Sequence, residues 1–205
     1  MSTASVQFST NVGLTSEPLS QLMPFNEVRF RECMGYLAHV KAQSLSQHYL
    51  VQFSFLIDLF HLLRCGKPVI GGSLAPWELG PVVQEAYRLC VDWRTEYDRV
   101  GRHPVGFKVV ALGSGGKLKL KAAGEVDMDA FSPYEIESME CAWEEIGHLN
   151  FPSLRHYTRG PDTFLGHAYN SAKAANRLMD WCEIIDAYDR FRGEDHSAVR
   201  ALIQF

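Results

Sequence analysis

The sequence lacks any apolar run long enough to cross a membrane. Its longest, Phe53 to Leu63, is interrupted by Ser54, Asp58 and His61, whereas a spanning helix needs about 20 apolar residues. It also lacks an excess of positive charge: 20 Lys and Arg stand against 24 Asp and Glu, a net charge of -4. That balance offers no general footprint for nucleic acid. No nucleic acid is required as a partner, and no membrane is expected. Paired cysteines are missing as well. The five thiols, Cys33, Cys65, Cys90, Cys141 and Cys182, are odd in number and scattered, which reads as reduced cysteines in a cytoplasm. Met1 to Pro24 has neither the positive start nor the apolar section of a secretory signal. This stretch reads as a mobile N-terminal arm over residues 1–24.

Recognisable reaction chemistry is scarce too. His61 and Cys65 stand four apart, a spacing that puts two ligands on one helix face, but no second pair of the kind structural zinc requires accompanies them. There is no P-loop and no Gly-x-Ser-x-Gly elbow. Cys141 and His148 lie two helical turns apart, too far to act as a nucleophile and its base. The acids Asp127, Asp129, Glu135, Glu137, Glu140, Glu144 and Glu145 read as a solvated helix face. No cofactor, no metal and no catalytic set is expected. Asp58 stands apart, because a carboxylate among Phe55, Ile57, Leu59 and Phe60 is costly to bury unpaired. The simpler reading is a structural acid taking hydrogen bonds from a nearby loop or an Arg; the sharper one is a partner-facing or catalytic acid.

What is present is helical patterning. Asn26 can cap a helix carrying Phe30, Cys33, Met34, Leu37 and Val40 at spacings of three and four. A second helix, Ser46 to Arg64, is apolar nearly all round and so belongs in the centre. Gly66, Pro68, Gly71 and Gly72 end it. The pattern predicts a third helix from Trp77 to Trp93, with Pro76 in its first turn and Val83, Ala86, Tyr87 and Cys90 as its apolar stripe. Alternation around Phe107 to Lys121, broken at Gly113 to Gly116, predicts an antiparallel hairpin near 105–121 with lysines facing solvent. Ser132, Pro133 and Glu135 form a capping-box signature ahead of another helix. A turn around Ser153 to Arg159 and a last long helix from Ser171 to Phe191, with Ala172, Ala175, Met179, Cys182 and Ile185 buried, complete the reading. The expected fold is mainly α, an α+β chain with one small antiparallel β-hairpin, in a single compact helical domain over 25–192 followed by a tail over 193–205.

Phe53-Ser-Phe-Leu-Ile-Asp58, His61-Leu, Gly66-Lys-Pro-Val-Ile-Gly71, Trp77 and Gly80-Pro-Val-Val-Gln-Glu-Ala-Tyr87 together resemble the signature of the Panacea domain, the SocA-like antitoxin family. More loosely, Tyr36-Leu-Ala is similar to the first family helix. Phe131 to Thr158 is similar to the family's acidic capped helix and the Leu-x-x-x-Thr element after it. The sequence departs from the pattern at Gln52, where Lys is frequent, at Phe55, where Tyr is usual, and at Arg159, where His is common. The resemblance marks Phe53, Asp58, His61, Gly66, Pro68, Trp77, Gly80, Pro81, Val82 and Tyr87 as family-motif residues, structural or partner-facing. It implies a bacterial or phage antitoxin that neutralises a cognate toxin by direct contact. The alternatives are a mobile-element protein binding a host factor, a protease adaptor, and an enzyme using Asp58, His61 or Trp77.

Overall fold

The computed structural model describes residues 23–40, 45–78, 80–100, 107–112 and 117–203. The expected arm (residues 1–22 of it) and the Gly113 to Gly116 turn therefore lie outside the described residues. Helix α1 (Glu27–Val40) starts where Asn26 accepts the Arg29 N–H at 3.1 Å, the cap its sequence predicts. A two-residue strand β1 (Leu45–Ser46) leads into α2 (Gln47–Cys65). Every residue of α2 from Leu50 to Leu59 is buried, so this helix is the axle of the domain. It packs most extensively against α4 (Pro133–Ile146), with Phe53 stacked flat on Trp143 at 5.5 Å. Stacked rings at that distance add about 0.5–1.5 kcal/mol beyond their buried area. Phe55 stacks likewise on Trp181, which ties α2 to the C-terminal helices.

Strands β4 (Phe107–Leu112) and β5 (Lys117–Ala122) form the expected antiparallel hairpin, and β1 adds to the outer edge of β5. Phe107 and Leu120 reach the core, while Lys121 is exposed. Helix α4 opens on the full capping box: Ser132 accepts the Glu135 N–H and Glu135 accepts the Ser132 N–H. The mainly helical reading thus holds, and all five cysteines are free thiols.

Three expectations are corrected. The predicted third helix does not begin at Trp77. Residues Leu74–Trp77 (β2) and Gly80–Val83 (β3) form a second antiparallel hairpin, and helix α3 (Gln84–Val100) starts only after it. Pro76 and Pro81 face each other in the register of this pair, and Gly80 has φ +123°, a conformation no helix uses. The expected turn near Ser153 to Arg159 is helix α5 (Phe151–Arg159), capped by Asn150. The last long helix is in fact two, α6 (Phe164–Ala174) and α7 (Trp181–Arg192). Between them Asn176 sits at φ 49° and Asp180 caps α7 through the Cys182 and Glu183 N–H groups. Ala175, expected inside, is exposed. Within 193–205, residues Ser197–Ile203 form helix α8, with Ile203 buried.

Candidate functional site

The family-motif residues converge on the loop joining α2 to β2 and on the β2–β3 hairpin. The backbone of that loop turns sharply inward. Gly66 closes α2 in the left-handed region, φ +67°, with its N–H on the Leu62 carbonyl at 2.9 Å. Gly71 and Gly72 also have positive φ, and a Cβ on Gly71 would fall 2.5 Å from the Pro24 carbonyl oxygen.

Five consecutive N–H groups of this loop point away from water, and each has a partner. Asp58 accepts Val69 and Ile70 on Oδ1, at 2.8 and 2.7 Å, and Gly71 on Oδ2 at 2.7 Å. Gly72 donates to the Met23 carbonyl at 2.8 Å, and Ser73 to Glu85 Oε2 at 2.8 Å. A buried loop is tolerable only when its amides are satisfied in this way. Burial pushes the Asp58 carboxyl up, the three N–H groups pull it down, and the balance stands at about 7. The His61 ring, 4% exposed, is held through Nδ1 by the Lys67 carbonyl at 2.7 Å. Since a carbonyl only accepts, that nitrogen carries the proton.

The hairpin is pinned from four helices. Gln52 of α2 donates to the Pro81 carbonyl at 2.7 Å. Tyr169 of α6 donates to the Trp77 carbonyl at 2.7 Å, and Arg159 of α5 donates to that of Glu78. Trp77 meets Tyr87 of α3 edge-on at 4.7 Å. A Cβ on Gly80 would lie 2.8 Å from Thr158 Oγ1, so only glycine lets α5 approach the hairpin this closely. Pro81 and Val82 are buried. Pro68 is half-buried in the loop.

Nine of the ten motif residues thus lie along the end of α2, the loop, the hairpin and the start of α3, most of them turned inward, while Phe53 packs on Trp143 of α4. Asp58 and His61 belong to the same loop clamp, and neither lines the concavities over Phe60 and Tyr188 or beside α5. Of the two partners expected for Asp58, a nearby loop or an Arg, it is the loop that donates. Sequence reasoning missed Glu85 and Tyr169, which complete the clamp and the pinning. Glu85 carries a faint signal, being a carboxylate just inside the first turn of a helix next to a glycine-rich loop. Tyr169 carries none.

Concavities lie elsewhere on the described surface. One, of about 400 Å³, runs between α2, α4 and α7 over Phe60, Leu63 and Tyr188, and is walled by the Arg64–Glu137 and Arg192–Glu145 pairs. Two others flank α5, with volumes of about 520 and 470 Å³. Among the described residues no helix is long and apolar enough to cross a membrane. No curated protein and no solved structure matches the chain. Residues 53–162, more than half of the 205, match the family model described as "Antitoxin SocA-like, Panacea domain", and they enclose the loop clamp, the hairpin and α5: the chain belongs to that family.

Proposed function

We propose that the protein is an antitoxin that neutralises a cognate toxin by direct protein–protein contact, without catalysing a reaction. Membership of the SocA-like family supports the antitoxin role. The observation that carries the non-catalytic reading is the occupancy of Asp58. Both its oxygens are taken by backbone N–H groups, and the carboxylate is 0% exposed. A general acid or base must reach the proton it transfers, and this one faces only the loop it holds. His61 is similarly engaged with the Lys67 carbonyl. The motif then supplies a rigid frame, and neutralisation falls to side chains on its outside.

The test is co-expression. Among neighbouring reading frames, one whose product arrests growth alone should become harmless beside this chain, and the two products should co-purify. Absence of both rescue and complex would sink the reading.

A further inference from the structure

Helix α5 carries two arginines and no carboxylate. Acids outnumber bases in the chain, yet no Asp or Glu occurs between Glu145 and Asp162. Phe151, Arg155 and Arg159 follow one another at spacings of four, which places them along one helix face. Phe151 is 46% exposed, seated against the His48 ring at 4.9 Å. Arg155 is exposed. Arg159 is held in place by its bond to the Glu78 carbonyl, while its Nε is shielded from water and has no hydrogen-bond partner. These three side chains line the 520 Å³ concavity; the 470 Å³ one shares Pro152 and His156 with it on the other flank.

Basic residues in a last helical turn ordinarily serve the helix dipole. That accounts for Arg159, and His156 is engaged with Asp162 at 3.3 Å. It does not account for an exposed Phe151, for Arg155 in the middle of the helix, or for a guanidinium N–H left without an acceptor.

We propose that this face of α5 is the docking surface for the partner protein, and that it takes an acidic segment carrying an apolar anchor. Carboxylates of that segment meet the guanidinium groups of Arg155 and Arg159, and the apolar side chain packs on Phe151. Two arginines and one aromatic also suit a single-stranded nucleic acid, but they offer few phosphate contacts on a negatively charged protein. The proposal rests on the antitoxin reading for the identity of the partner, not for the chemistry of the face.

The experiment uses the full chain and a fluorescent helical peptide with glutamates four apart around one phenylalanine, read by anisotropy, with a single-stranded RNA oligonucleotide alongside. Wild type binds the peptide in preference to the RNA, more weakly as salt rises. Arg155→Glu and Phe151→Ser weaken it by about tenfold or more, and Glu144→Lys on α4 does not. All three keep the wild-type circular dichroism, so loss of fold does not confound the result. No peptide binding, equal binding by Arg155→Glu, or tighter binding of RNA overturns the proposal. The same variants are then carried into the co-expression assay. A toxin neutralised equally by wild type and Arg155→Glu removes α5 as the docking face and leaves the antitoxin reading standing. Peptide binding through Arg155 with no toxin rescued keeps the acidic-segment site and removes the toxin as its partner.

Discussion

The loop clamp and helix α5 lie on either side of the β2–β3 hairpin and treat their polar groups in opposite ways. In the clamp, five successive amides, the Asp58 carboxylate and the His61 ring all find partners within the chain. On α5 an arginine is exposed, a guanidinium nitrogen is unmatched and a phenylalanine is half bare. The most recognisable residues of the sequence are therefore those with least left to offer a partner. A buried, fully satisfied network fixes one backbone conformation, which is what a family signature records. Under the proposed function, partner choice falls to surface residues that carry no such constraint.

The largest effect that would break this contrast comes from the clamp. Asp58→Ala leaves three buried N–H groups without acceptors and should cost at least about 3 kcal/mol, at about 1 kcal/mol or more for each donor. Urea titration would show the midpoint move down; an unchanged midpoint would mean the loop can rearrange freely. Next comes Gly80→Ala, which combines a strained φ with a contact on Thr158 and should cost about 1–3 kcal/mol. Adding Thr158→Ala should recover the contact part but not the φ part, so the two substitutions should be less than additive in a double-mutant cycle.

Local patterns and long-range pairings leave unequal marks in the sequence. Helix α2 and the capped start of α4 were legible because burial all round and a capping box are local patterns. The β2–β3 hairpin was not, since Pro76 suits a helical first turn as well as a strand edge, and only the pairing with Gly80 and Pro81 decides between them. The apolar stripe from Ala172 to Ile185 runs on through the break at Asn176, so periodicity alone could not divide α6 from α7. Asp58 could be picked out as an anomaly, but its donors come from backbone that leaves no mark in side-chain chemistry. Helix α5 was missed as a helix, which also hid the alignment of Phe151, Arg155 and Arg159.

A third, smaller effect concerns the C-terminal end of the molecule. Burial pushes the Asp189 carboxyl up, but hydrogen bonds from the His196 ring, the His196 N–H and Arg200 outweigh it and hold the carboxyl below its ordinary value. A carboxyl with a lowered native pKa contributes stability that is present above its unfolded value, near 4, and is lost as pH falls through the native one. Hydrogen exchange in α8 should therefore quicken on acidification below about pH 4 before that of α2 does. Arg200→Ala should bring the same change at higher pH. Simultaneous loss in both helices would show that α8 is not held by this cluster. The smallest expected effect is on stability at α5. Arg155→Glu should shift the urea midpoint by no more than about 0.5 kcal/mol in free-energy terms, even as partner binding is lost.

The central claim is that the signature holds the fold while the partner is met elsewhere. Asp58→Asn tests it most directly, because it keeps the shape of the side chain and places a donor among three donors. Amide exchange at Val69, Ile70 and Gly71, thermal stability and toxin neutralisation would be measured together. The account predicts that protection and stability fall, with neutralisation failing only in proportion to the unfolded fraction. A variant as stable and as protected as wild type that no longer neutralised its toxin would contradict it, and would make Asp58 a functional residue after all.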